Sequence, residues 1–205
     1  MVTTVNRVPG WFLYVGWVVL SVISLPVAFG ISWMVISLVE MGVGDTMQVG
    51  GQTHITEDYL SMYIFFPMVG LLTGFLQYLL LRRYLQRMSW WIVATTLGWS
   101  LAFLGARLLS QVWYATFQIE SSWLVVGIAV FVGGAIGLAQ WSVLHRRVER
   151  AVWWIPANIL GWGLVGLITG GTLIGALDLI SLSTIPAIVT SAILWLLIIP
   201  QVSKG

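Results

Sequence analysis

Six apolar stretches, at about 11–38, 59–81, 90–110, 123–144, 153–175 and 183–202, take up most of the chain, and nearly every charge lies between them. A helix of roughly 20 residues crosses a hydrocarbon core about 30 Å thick. Lipid offers no partner to a bare peptide group, so each stretch must close its backbone hydrogen bonds within itself. The expected fold class is all-α, an integral membrane bundle of six transmembrane helices forming one transmembrane domain over residues 1–205. Only 8% of residues are charged, against about 25% in a soluble domain. With no cysteine, disulfides, thiol catalysis and iron–sulfur clusters are excluded. The first apolar run is too long for the core of a secretory signal and no small-x-small pattern closes it, so it reads as a retained anchor.

Orientation follows from the basic residues of short loops. Arg7, Arg82, Arg83, Arg87, Arg146, Arg147, Arg150 and Lys204 fall on one side, and Arg107 alone lies near the other. Glu40, Asp45, Glu57, Asp58, Glu120 and Asp178 fall opposite the basic side. Both termini are therefore expected to be cytoplasmic, in a bacterial inner membrane. Arg107 should snorkel outward or pair with Glu40 or Glu120.

The segment from Gly74 to Trp99 recurs 63 residues later from Gly137 to Trp162, with 12 identities in 26 positions. Gln77 matches Gln140, Arg83 matches Arg146, Arg87 matches Arg150, and Trp90–Trp91 match Trp153–Trp154. Apolar bias alone does not produce such matches. The pattern predicts a duplicated helical hairpin, with units at 70–99 and 133–162, in parallel orientation because the copies lie two spans apart. The first and last helices are left as a degenerate third pair that would close a ring with pseudo-threefold symmetry, although their match to the motif is poor.

Gly70, Gly74, Gln77 and Leu81 share one helix face, as do Gly133, Gly137, Gln140 and Leu144. Glycines four apart let helices approach closely in lipid, which predicts a tight bundle with little internal room. The amides need partners there. The spacing predicts that Gln77 bonds to Thr95, and Gln140 to Asn158, across each hairpin as polar glue. Trp90, Trp91, Trp153 and Trp154 are placed at the headgroup level. Trp99 and Trp162, eight residues deeper, pack beside a neighbouring glycine or wall a site for a pigment, quinone or lipid tail. Pro26 and Pro67 should tilt or kink their helices.

The basic sets Arg82, Arg83, Arg87 and Arg146, Arg147, Arg150 signal topology and also suit anionic lipid headgroups or an acidic partner. His145, beside the second set, is the candidate ligand for a haem or chlorin. His54, Glu57 and Asp58, in a glycine-rich loop read as a solvated linker, are candidates for a metal, but lack a fourth ligand. No metal is expected.

The motif G-x-x-Q-W-x-x-L-x-R-R followed by W-W-I-x-A-N-x-x-G-W resembles a pattern of uncharacterised bacterial polytopic membrane proteins, notably of cyanobacteria and green non-sulfur bacteria. The first copy departs from it at Tyr78 and Thr95. The resemblance covers about half the chain and implies class and bacterial origin, without an activity. Tryptophan richness is shared with the tryptophan-rich sensory proteins, whose proline-containing signature is absent.

No zincin motif, Ser and His pair or aspartate pair lies within the spans, so no enzymatic activity is expected. A scaffold or accessory subunit of a larger membrane complex, partnered by lipid, other subunits or copies of itself, is the leading expectation. A small transporter or channel ranks lower because ionisable residues are confined to the helix ends. A pigment-, haem- or quinone-binding protein is the remaining alternative. Nucleic acid is not an expected partner.

Overall fold

A computed structural model describes residues 10–117, 122–169 and 176–202. The chain runs through α1 (Gly10–Val43), β1 (Thr46–Val49), β2 (Gln52–Ile55) and α2 (Thr56–Leu60). A π-helical turn at Ser61–Phe65 carries α2 into α3 (Phe66–Leu81). There follow α4 (Trp90–Phe117), α5 (Ser122–Leu144), a 3-10 turn at Ala151–Trp153, α6 (Trp154–Thr169) and α7 (Ala176–Val202). Five runs are long and apolar enough to cross a membrane: Gly10–Val43, Thr56–Leu81, Trp90–Thr116, Trp123–Leu144 and Ala151–Thr169. Within α7 the stretch Ser183–Ile198 is apolar but shorter.

The loop expected to be a solvated linker is instead an antiparallel hairpin, with Thr46 opposite Ile55 and Val49 opposite Gln52. Gly50 and Gly51, at φ of 59° and 78°, supply the left-handed pair that a two-residue hairpin turn demands. Thr56 anchors it, donating from its backbone N–H to the Asp45 carbonyl and from its hydroxyl to the Gly44 carbonyl. Strand pairing needs only this turn and two four-residue strands, Thr46–Val49 and Gln52–Ile55, which the flanking glycines and acids disguised.

Near Pro67 the helix passes through the π-helical turn instead of ending. Proline lacks the N–H that would bond the carbonyl four residues earlier, here that of Tyr63 inside Ser61–Phe65. A widened turn absorbs the mismatch.

Each long helix packs on the next along the chain, and α7 packs back on α1, closing a ring of six. The expected glycine faces make the closest contacts. A Cβ on Gly70 would sit 2.7 Å from the Thr96 Cα, and one on Gly133 would sit 2.5 Å from the Asn158 carbonyl oxygen. Side-chain bulk is therefore excluded along both hairpin seams, and backbone meets backbone.

Buried positions recur in register around the ring. Counting from Trp17, Trp91 and Trp154, the fourth residue on is Ser21, Thr95 or Asn158, and the eighth is Leu25, Trp99 or Trp162. All nine are buried. On the partner helices Gln77, Gln140 and Thr190 occupy corresponding places, followed four residues later by buried Leu81, Leu144 and Leu194. Thus α7 and α1 stand to each other as α3 does to α4 and α5 to α6. Two apolar cores result, one at the end bearing the basic turns, around Trp17, Trp91 and Trp154, and one toward the hairpin end, around Leu25, Trp99 and Trp162.

Candidate functional site

The site is built where three tryptophans converge on the ring axis. Trp17, Trp91 and Trp154 meet edge to face, with ring centroids 5.9 Å (17 to 91), 5.6 Å (17 to 154) and 5.9 Å (91 to 154) apart. That is the arrangement the aromatic quadrupole favours. Consecutive helical residues point about 100° apart, so paired tryptophans cannot share a fate. Trp90 and Trp153 are 68% and 59% exposed and present their rings to the outside of the bundle, whereas Trp91 and Trp154 are 0% exposed and face its interior.

A buried indole N–H must find an acceptor. Trp91 donates to Gln77 Oε1 at 3.1 Å, Trp154 to Gln140 Oε1 at 3.0 Å, and Trp17 to Thr190 Oγ1 at 3.1 Å. Each bond ties the two helices of one pair. The glutamine N–H groups are thereby turned away from their own hairpin. Gln77 Nε2 donates to Ser21 Oγ at 3.0 Å, and Gln140 Nε2 donates to Thr95 Oγ1 at 3.2 Å.

This corrects the expected Gln77 to Thr95 and Gln140 to Asn158 bonds. The amides link one hairpin to the preceding pair, because the indole has already claimed the carbonyl on the near side. Asn158 instead donates from Nδ2 to the Trp154 carbonyl at 2.9 Å. Ser24 and Thr73 hydroxyls share a further bond of 2.8 Å between α1 and α3.

Among these side chains a chamber of about 50 Å³ remains, lined by Ser21, Gln77, Gln140, Asn158 and Thr190 together with Trp99 and Trp162. Its polar lining consists of hydroxyls and amides, and among the described residues no ionisable group reaches it. The three indoles close the basic side. On the other side Trp99 and Trp162 meet at 5.4 Å, edge to face. Beyond them an apolar cavity of about 290 Å³ is walled by Phe65, Phe66, Phe103 and the same two tryptophans. There Phe66 stacks on Phe103 at 3.9 Å, and Trp99 stacks on Phe103 at 5.4 Å. Trp99 packs beside a glycine as expected, its Cβ 2.9 Å from where a Gly70 Cβ would be, and its ring also borders the apolar cavity. The bundle is tight along its seams yet roomier toward the hairpin end than the glycine pattern predicts.

At the basic end the arginines divide. Arg82 lies over the Tyr78 ring at 6.0 Å and Arg83 over the Phe12 ring at 5.5 Å. Arg87 and Arg150 adopt left-handed backbone in corresponding turns, at φ of 56° and 58°. Arg87, Arg146 and Arg147 border a groove between α4 and α5. Burial pushes the Tyr84 hydroxyl above its ordinary pKa, with Arg83 pulling the other way.

His145 is exposed, its Nδ1 2.9 Å from the Trp141 carbonyl and its ring stacked on Trp141 at 4.7 Å. It borders neither the chamber nor the apolar cavity. His54 sits on β2 with its ring 5.0 Å from that of Tyr59. Among the described residues no three His, Cys, Asp or Glu side chains, including His54, Glu57 and Asp58, converge on a place for a metal ion. Arg107 borders a groove with His54 and Asp58 rather than with Glu40, while Glu120 lies outside the described residues.

Trp17, Ser21 and Thr190 join the site without having been singled out in the sequence. The signal was faint: a tryptophan followed four residues later by a small polar residue, as in Trp91 with Thr95 and Trp154 with Asn158. Comparison with protein-family models, with curated proteins and with solved structures finds no match to this chain.

Proposed function

We propose that the protein is a non-catalytic integral membrane protein, a scaffold or accessory subunit of a larger membrane complex. One observation carries this reading: around the chamber Gln77, Gln140, Ser21, Thr95 and Thr190 are bonded to one another and to the indoles of three tryptophans in mutual contact. Transport sites ordinarily place ionisable side chains or broken helices near the midplane. Among the described residues the chamber offers amides, hydroxyls and indoles and no ionisable side chain. A rigid ring with large apolar side chains outside, Trp33, Leu101, Leu138 and Leu160 among them, suits a part that binds neighbours in lipid.

In this reading the chain makes six spans, with both termini on the cytoplasmic side of a bacterial inner membrane. The distribution of Arg82, Arg83, Arg87, Arg146, Arg147 and Arg150 supports that orientation. Units 70–99 and 133–162 are products of a duplication, supported by their shared residues and by the paired bonds of Gln77 and Gln140. The family resemblance carried by the hairpin motif belongs to the same proposal.

A second reading, binding of a quinone or pigment ring, is favoured by the apolar cavity of about 290 Å³ and its stacked aromatic walls. Purification of the tagged protein from its own membranes in mild detergent tests both. Mass spectrometry of co-purifying subunits and a visible spectrum of the same sample are recorded. Larger subunits in stoichiometric amount are expected under the first reading, and a retained chromophore under the second. A lone, colourless chain would contradict both.

A further inference from the structure

We propose that the groove between α4 and α5 at the basic end is a binding site for one anionic phospholipid. The groove, of about 420 Å³, has Arg87, Arg146 and Arg147 at its mouth and Trp90, Val93 and Leu97 along its wall. Among the described residues none of the three guanidinium groups has an ion-pair or hydrogen-bond partner. Three unpaired positive charges over an exposed apolar wall complement one kind of molecule, a phosphate headgroup with an acyl chain. The phosphate would lie among the guanidinium groups, which bind it by charge and by paired N–H bonds. The chain would run down past Trp90 onto Val93 and Leu97, which are exposed on the lipid-facing side of α4.

The ring itself supplies the control. In the register set by the tryptophans, Arg87, Arg146 and Arg147 align with Arg150, Leu196 and Leu197 on the α6/α7 side, where Leu197 is turned into the core, so one arginine aligns where the α4/α5 groove has three. Between α1 and α3 they hold Leu13, Arg83 and Tyr84, and the Arg83 guanidinium already rests on Phe12. Topology signalling needs basic residues on one side of the membrane, and is satisfied by any distribution among the three grooves. Concentration of three on a single groove is a feature of recognition. The inference does not depend on the accessory-subunit reading.

The test is native mass spectrometry of the full chain, released from detergent with phosphatidylglycerol or phosphatidylcholine of the same acyl length. At about 1 kcal/mol per arginine near the headgroup, three arginines should make wild type retain phosphatidylglycerol about a hundredfold over phosphatidylcholine. Arg87→Asn combined with R146Q and R147Q should abolish the preference; asparagine tolerates the left-handed backbone at position 87. The double variant R146Q/R147Q, which leaves that turn untouched, should lose most of it. R82Q/R83Q should keep it. Millimolar glycerol phosphate should not displace the lipid. Equal retention of both lipids, equal loss in R82Q/R83Q, or displacement by glycerol phosphate would each overturn the proposal, the last in favour of a free-phosphate site.

Discussion

The α3/α4 and α5/α6 pairs and the α7/α1 pair hold the same three-way tryptophan contact by different means. In the first two, Gly70 with Gly74 and Gly133 with Gly137 bring the backbones together, and a glutamine reaches both its own indole and the pair before it. In the third, Ser183, Ala187 and Thr190 stand at the corresponding places, and Thr190 accepts from Trp17 while donating to the Pro186 carbonyl of its own helix. Two seams of the ring are stitched by amides. At the third seam the shorter threonine leaves the chamber beside Asn158. Amide bonds across α1/α3 and α4/α5, and a polar chamber at α6/α7 beside the close approach of Gly161 to Pro186, follow from the same register filled with different residues.

The largest expected effect comes from breaking a glycine seam. In Gly133→Ala the new methyl would meet the Asn158 carbonyl oxygen at 2.5 Å, and neither backbone can yield cheaply. Overpacking of this kind costs about 3 kcal/mol or prevents assembly, read as lost thermal stability in detergent. Gly127→Ala, where nothing lies within 4 Å, should leave stability unchanged. Next comes Gln140→Leu, which removes two bonds and leaves a buried indole N–H unpartnered. A loss of about 2 kcal/mol is expected in reversible unfolding.

Thr190→Val should cost less, about 1 kcal/mol, because it removes a single bond between helices, that from Trp17, besides the hydroxyl's bond to the Pro186 carbonyl of its own helix. The smallest effect sharpens the comparison from the other side. Thr190→Gln would place an amide where the other two pairs have one, filling the chamber and offering Asn158 a donor. A gain of about 0.6 kcal/mol is expected, the typical worth of a hydrogen bond between membrane helices. A loss of stability at Thr190→Gln would mean that the third seam is not built on the plan of the other two.

Much of this ring was legible in the sequence because packing in lipid selects few residue types. Glycines four apart on one face, repeated 63 residues later, led directly to the seams at Gly70 and Gly133. The direction of the glutamine bonds was not legible. It depends on which tryptophan of each pair turns inward, a rotation that adjacent Trp90 and Trp91 leave undetermined until the helix is packed. The third pair was obscured because Thr190 replaces glutamine and Ser21 replaces asparagine, and because its two helices sit at opposite ends of the chain. The β-hairpin escaped because strands of four residues, Thr46–Val49 and Gln52–Ile55, are too short for the alternation of Thr46, Met47, Gln48 and Val49 to stand out beside the long apolar helices.

The central claim is that polar bonds run between hairpins, from Gln140 to Thr95, and not across the hairpin to Asn158. The most direct test is a double-mutant cycle combining Gln140→Leu with Thr95→Val, measured by reversible unfolding in detergent. The structure predicts a coupling of about 0.6–1.7 kcal/mol for that pair, exceeding that between Gln140→Leu and Asn158→Leu. Additive effects at Gln140 and Thr95, with the coupling found at Asn158 instead, would contradict it.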